Sequence, residues 1–442
     1  MKVHRLPVDA GISAWNAILP QAPEPVSLQS DIAADYLVIG AGFAGLSAAR
    51  RLSQLNPDAR IVVLEAKRIA EGPCGRNSGF MVDLPHELSS SDYASSAQAD
   101  RNQIELNRQA ISFAKEVVEE YKLDAEAYNP CGKINGAVTQ EAAQHNLDYA
   151  KHLEDLGEAH ELCDAAQMKE ITGSNLYTSG LLTPGTVLIQ PAMYCRGLAQ
   201  GLGNVVSIFE NSPVISLDKA NGKWLAATNS GSVASNKVIL ATNGHIESFG
   251  YYKGQVFHIM LYGSMTRELT EREAAQTGQP IWGITPSDPV ATSMRKISGT
   301  GGTRILTRNQ MTYAPSMFAS PQLLEKMAKR HQTSFVKRYP ELSHVEQEYS
   351  WSGRLCLSRN STPAFGKLDD GLFSACCQNG LGTTRGTLSG MAVAELASEG
   401  ETDLVKSLQK QGKPNNLPPA PLDTIGASAF LKWREFKARK EV

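Results

Sequence analysis

Residues 35–65, DYLVIGAGFAGLSAARRLSQLNPDARIVVLE, restrict the fold more tightly than any other stretch of the chain. The apolar run Tyr36–Ile39 predicts a strand that enters Gly40, Gly42 and Gly45 in G-x-G-x-x-G register. A small-residue helix of about a dozen positions follows, and Arg60–Leu64 predicts a second strand that closes on Glu65, so the whole reads as one βαβ unit. Gly40 permits the tight turn, Gly42 lets backbone approach a pyrophosphate, and Gly45 lets the helix lie close to the sheet. The helix N-terminus supplies oriented N–H groups and the positive end of its dipole. Glu65 is placed to accept hydrogen bonds from ribose hydroxyls, which favours a dinucleotide with a free 2′-OH, either FAD or NAD. A glycine-rich turn in some other α/β protein would not require strand, helix, second strand and terminal acid together.

The segment after the second strand separates the two dinucleotides. GPCGRNSGF, Gly72 to Phe80, has three glycines among small and polar residues, a composition suited to backbone passing close to an extended ligand. Simple doubly wound NAD proteins continue into another helix here, whereas flavoproteins run this segment along the pyrophosphate and isoalloxazine.

Composition narrows the class. The chain has 442 residues, 42% hydrophobic and 20% charged, with a net charge of -2, which predicts a globular protein of two or three domains without the basic surface of a nucleic-acid binder. No apolar run reaches the roughly 18 residues of a membrane span, and the N-terminus lacks an apolar core with a cleavage site, so a cytoplasmic protein is expected. Seven cysteines never stand as C-x-x-C, and the nine histidines form no metal-binding pair, so neither a disulfide framework nor a metal site is indicated.

On these residues the chain resembles the FAD-dependent amine and amino-acid oxidases of the D-amino-acid oxidase, glycine oxidase and sarcosine oxidase type, nearest the γ-glutamylputrescine oxidase branch. In that branch the glycine loop reads about G-A-S-G-R-N-G-G; here it is Gly72-Pro73-Cys74-Gly75-Arg76-Asn77-Ser78-Gly79. The likeness extends through the upstream SAW, KVILATNGH, SMRKISGTGGTRILTRN, YSWSGRLCLSRNSTPAFGKL and CCQNGLGTTRGTLSGMAVAELA. It implies FAD held by Gly40, Gly42, Phe43, Ala44, Gly45, Glu65, Ala66 and Lys67 in the first unit, and by Gly75, Arg76, Asn77, Ser78 and Gly79 in the loop. It further implies contacts from Thr242, Asn243 and Gly244, from Gly353, and from Gly380, Leu381, Gly382, Thr383 and Thr384. Val214, after the break at Pro213, is matched to a backbone contact with the adenine; a plain core valine reads equally well. Where the family has G-H-G or a similar triplet, this chain has Gly380-Leu381-Gly382, which keeps the backbone geometry and removes a side chain. The helix after it, with Leu388, Met391, Val393 and Leu396 apolar, can stabilise negative charge on a flavin pyrimidine.

The motif positions predict an α/β architecture: a Rossmann-like FAD-binding domain from residues 31–85, 187–250 and 366–400, with an inserted mixed-sheet (α+β) substrate-binding domain from 86–186 and 251–365. Residues 1–30 form an N-terminal arm and 401–442 a C-terminal tail. Residues 86–186 read as helices, as in QAISFAKEVVEEYKL; residues 251–365 read as strands, with Val256, His258, Met260 and Tyr262 alternating on one face.

The resemblance implies oxidation of the C–N bond of a small primary or secondary amine or amino acid. A hydride equivalent passes to flavin N5, the imine hydrolyses to aldehyde or keto acid plus ammonia or amine, and O₂ or another acceptor reoxidises the flavin. A hydroxy-acid dehydrogenase or a flavin-bearing subunit of a larger complex are the alternatives, because fold does not fix function. Arg295, Arg304, Arg308, Arg354, Arg359 and Arg385 cluster in segments expected near the cavity, and a guanidinium suits an anionic substrate. Arg354 is the first candidate for substrate orientation, followed by Tyr262 and His258. Cys356 loosely matches the segment that carries a flavin-linked cysteine in sarcosine oxidases, but the nearer branch lacks it, so a packed thiol and non-covalent flavin are expected.

Overall fold

The computed structural model describes residues 1–85, 96–287, 291–419 and 422–438. Strand Ile32–Ile39 lies at the middle of one eight-stranded sheet, flanked in parallel by Ile61–Leu64 and Ser232–Leu240, with Val206–Phe209 and Leu372–Cys376 parallel beyond them. All four residues of Ile61–Leu64 are buried, as a parallel strand covered on both faces requires. Helices Phe43–Leu55 and Thr384–Ser398 pack against each other, the second bringing Gly390 so near that a Cβ there would meet the Ala44 carbonyl at 2.2 Å.

The second eight-stranded sheet runs in the order Gln347–Ser358, Val256–Thr266, Arg304–Tyr313, Ser293–Ile297, Trp282–Pro286, Lys133–Ala137, Ser179–Thr183 and Glu161–Asp164. It is antiparallel except where Trp282–Pro286 meets Lys133–Ala137. This sheet corrects the helical reading of residues 86–186. Helices Ala97–Glu120, Gln140–Leu156 and Ala165–Thr172 are present, but three strands lie between and after them. Lys133–Ala137, KINGA, is buried at every position and shows no alternation, so periodicity could not reveal it. The all-strand reading of 251–365 is corrected too: helix Pro321–Arg338 crosses the sheet, started by Pro321 and by Ser320, whose hydroxyl accepts from the Leu323 N–H at 3.2 Å. The alternation along Val256–Thr266 is broken by a register shift between Leu261 and Tyr262.

Beneath helix Pro321–Arg338, the His331 ring lies 2.7 Å (Nδ1) from the Ser264 hydroxyl and 3.4 Å (Nε2) from the Asn309 carbonyl. Burial holds its pKa down to about 4 from 6.5, against the pull of the Asn309 carbonyl and with a smaller push from Arg308. The unfolded chain therefore takes up this proton first: stability is full above about pH 6.5 and falls as pH drops towards 4. By pH 4.5 the loss from this ring is about 2–3 kcal/mol. Thermal melts from pH 7.5 to 4.5 should show a shallower acid slope for His331→Gln than for the wild type; parallel slopes would refute the assignment.

The N-terminal arm is built into the molecule. Lys2 pairs with Ser216, and Trp15, fully buried in the short helix Ala14–Ala17, donates from its indole to the Asn77 carbonyl at 2.7 Å. Ser13 and Asn16 donate to the carbonyls of Gly75 and Ala70. At the other terminus, helix Leu422–Ala438 packs against strand Arg304–Tyr313.

Candidate flavin site

A cavity of about 400 Å³ is walled by the parallel sheet's glycine turns on one side and by the second sheet on the other. Gly40 makes the first turn with φ +104°, a conformation that disfavours any Cβ. Gly45 stands behind it, where a Cβ would meet the Gly40 carbonyl at 1.8 Å, so this glycine serves helix-to-strand packing. Gly42 is different: a Cβ there would touch only Cys74, at 3.8 Å, and no protein atom requires a glycine.

Two helix N-termini meet this cavity. Phe43–Leu55 starts at Gly42 and Thr384–Ser398 at Thr383, and in neither does a side chain cap the free backbone N–H groups. A Cβ on Gly382 would have nothing within 4 Å. Uncapped N–H groups and open space are what anionic oxygens of a dinucleotide and a reduced flavin ring call for. Glu65 closes the other end: its carboxylate accepts from the Ala41 N–H at 2.8 Å and the Lys67 N–H at 3.0 Å, which fixes its direction and leaves lone-pair positions for ribose hydroxyls. Burial raises its pKa, and those two N–H donors pull it back. The Asn243 Oδ1 and both His245 ring nitrogens are buried without a partner among the described residues, and both residues line the cavity. Burial above all holds His245 down to about 3, with Arg354 and His258 adding to it. The residues present therefore fit FAD.

Most residues singled out in the sequence converge here. Phe43, Ala44, Ala66 and Lys67 line the cavity, with Arg76, Asn77, Ser78 and Gly79 from the glycine loop. Val214, Thr242 and Gly244 line it from the sheet, as do Gly353, Gly380 and Leu381 from the C-terminal half. Three lie behind the wall. A Cβ on Gly75 would meet the Ala70 carbonyl at 1.8 Å, Thr384 donates to the Val82 carbonyl at 3.0 Å, and Gly45 is placed as above.

The arginines are mostly committed to structure. Arg295 is buried, stacks over Trp15, and donates to the carbonyls of Ser78, Gly79 and Ile189. Arg304 pairs with Glu348 over the Tyr349 ring. Among the six arginines, Arg308 and Arg354 line the cavity. Arg354 is bound to Asp9 of the arm, Nη2 to Oδ1 at 3.0 Å, and donates to the Val8 carbonyl. Asp9, 2% exposed, also meets Lys67 Nζ at 3.1 Å and Arg76 Nε at 3.9 Å. Arg76 donates from Nε to the Glu71 carbonyl and from its Nη atoms to the carbonyls of Ala10, Gly11 and Ser352, so it clamps the arm to the glycine loop. His258 and Tyr262 also line the cavity, His258 paired with Glu247 at 2.6 Å and Tyr262 bonded to the Thr312 hydroxyl at 2.7 Å. Sequence reasoning passed over Asp9, which no motif marks. It passed over Lys133 because that segment reads as helical, and over His245 although this is the last residue of the KVILATNGH stretch.

A parallel sheet whose glycine turns and helix N-termini hold a dinucleotide, joined to a second sheet that closes the cavity, defines a flavoprotein oxidoreductase of two intertwined layers. Residues 35–396 match the family described as FAD dependent oxidoreductase, and the chain belongs to it. It is 24% identical over 381 residues to the gamma-glutamylputrescine oxidoreductase of Escherichia coli, covering 84% of this chain and 85% of that one. It is 26% identical over 381 residues to a Haemophilus influenzae protein named "Probable oxidoreductase OrdL", covering 82% of each. Among solved structures, glycine oxidase from Geobacillus kaustophilus superimposes with a TM-score of 0.68 at 18% identity, over 84% of this chain and 96% of that one. The fold is thus that of glycine oxidase. Among the described residues no helix is long and apolar enough to cross a membrane.

Proposed function

We propose that this chain oxidises the C–N bond of a small primary or secondary amine or amino acid to the imine, which water hydrolyses to an aldehyde or keto acid plus ammonia or a smaller amine. The observation that carries the reading is one continuous cavity that runs from the uncapped helix N-termini to the second sheet, where Leu261, Tyr262 and Leu306 present a mostly apolar wall. Bound FAD supplies the acceptor for the electron pair. The chain's own part is to orient the amine, exclude water from the reacting carbon, hold the pyrophosphate at the N-terminus of Phe43–Leu55 and place the N-terminus of Thr384–Ser398 where negative charge develops. His258 is held by Glu247 and Tyr262 by Thr312, so each presents a fixed edge to the substrate. One of the relatives named above, the gamma-glutamylputrescine oxidoreductase, supports an amine substrate. Anaerobic titration of the yellow protein with amines, amino acids and hydroxy acids tests this: bleaching by amines supports it, and bleaching by hydroxy acids alone overturns it. Peroxide release on readmission of air then separates O₂ from another acceptor.

The flavin is held without a covalent bond on this reading. Cys356 faces the cavity, but it is 1% exposed and its thiol is pushed well above its ordinary pKa by the neighbouring Cys377 and by burial. A thiol kept protonated is a poor nucleophile. Acid precipitation should leave the flavin in the supernatant; yellow colour retained in the pellet, and lost in Cys356→Ala, would refute this.

A further inference from the structure

Lys133 is an ammonium buried at 4% exposure in the second sheet, and it lines the same cavity. Its Nζ donates to the Asn135 side-chain oxygen and, at 3.5 Å, to the Thr285 hydroxyl, both of them neutral. Among the described residues no carboxylate stands within ion-pair distance of it. The acid it senses, Asp83, is already engaged by Arg108 at 3.3 Å and by the Thr186 hydroxyl at 3.4 Å. Strand pairing extends this polarity across the sheet. Asn135 stands opposite Thr285, Ser293 opposite Arg308, and Ile284 opposite Met294, which brings Thr285 beside Ser293 one step on. Lys133, Thr285, Ser293 and Arg308 all line the cavity, a polar row on four adjacent strands next to the apolar wall of Leu261 and Leu306.

Arg354, at another part of the cavity wall, already holds a carboxylate of this chain, Asp9. Lys133, by contrast, has only neutral hydrogen-bond partners.

We propose that the row Lys133–Thr285–Ser293–Arg308 is the subsite for a carboxylate at the end of the substrate remote from the oxidised amine. The inference rests on the amine reading above and adds the place and identity of the group that selects the substrate. A buried ammonium without a counter-ion is costly, and a carboxylate that enters the row supplies the charge, with the Ser293 hydroxyl to donate to a remaining lone pair while Thr285 donates to the Asn135 side-chain oxygen at 2.8 Å and helps fix Lys133. Burial holds Lys133 down to about 8, with Asp83 opposing, so the side chain remains protonated at neutral pH.

The test compares wild type, Lys133→Met and Lys133→Arg, each first checked for flavin content and melting temperature. For a straight-chain amine ending in a carboxylate and the same amine ending in a methyl group, the ratio of kcat/KM values should fall by about 50-fold or more in Lys133→Met. Lys133→Arg should recover part of that ratio. Independently, glutarate should perturb the flavin absorption of the wild type with a saturable dissociation constant and fail to do so in Lys133→Met. An unchanged ratio, or equal glutarate binding in both proteins, overturns the subsite. If hydroxy acids and no amines bleach the flavin, the amine reading fails, and the glutarate titration still decides the subsite.

Discussion

Gly42→Val is expected to give a folded protein without flavin. A Cβ at this position meets no protein atom closer than 3.8 Å, and Gly42 has φ -83°, which any residue adopts, so the chain itself tolerates the side chain. What the valine would fill is the space in front of the helix N-terminus, where a pyrophosphate must lie against the backbone. FAD affinity should drop by on the order of 100-fold or more, while the far-ultraviolet circular dichroism remains that of the wild type. Gly45→Val is the contrast: its Cβ would drive into the Gly40 carbonyl at 1.8 Å, and that variant should fail to fold well in the first place. A Gly42→Val protein that purifies yellow, with flavin stoichiometry near one, would refute the placement of the pyrophosphate.

The second large effect is expected at Asp9. Its carboxylate is 2% exposed and faces Arg354, Arg76 and Lys67 together, the two guanidiniums being 8% and 7% exposed. Removing one member of such a cluster leaves buried charge uncompensated, so Asp9→Ala should cost about 3–5 kcal/mol. Burial already depresses both arginines, and Asp9 is the main group that pulls them back. The loss should show as a lowered melting temperature and as protease cleavage near Asp9, because this cluster ties down the stretch of the arm between the pairing at Lys2 and the anchor at Trp15. Asp9→Ala combined with Arg354→Met should regain much of the stability; strict additivity of the two losses would mean that the pair does not interact.

The two outcomes bear on how much of this molecule its sequence discloses. The dinucleotide turn was legible because each glycine there answers a local demand, and the strand, helix and acid around it follow in fixed order. Local demand also marked the loop from Gly72 and the turn at Gly380. It did not distinguish glycines that face the ligand from those that support the wall: Gly42 and Gly45 are alike in the motif, and only their neighbours in space show that one opens on the cavity while the other abuts a carbonyl. Strands such as Lys133–Ala137 were illegible for a related reason. A strand buried on both faces carries no alternation, and five residues are too few for any other period to show.

The arginines mark the same boundary at the level of charge. The sequence places six of them in segments expected near the cavity, with Arg354 the first candidate, but it does not show which of them is already paired, and a guanidinium's worth depends on what already pairs with it. Asp9 is separated from Arg354 by more than three hundred residues, and Lys133 from Thr285 by 152. The sequence by itself determined the βαβ unit and, with the loop that follows it, the FAD it holds, because those depend on contacts among residues close in the chain and on glycines that give a tight turn or leave room for the ligand. The tertiary structure alone decided which cations are neutralised and which still face the cavity, because a buried charge is set by partners that the fold brings from distant segments into a medium where water no longer screens them.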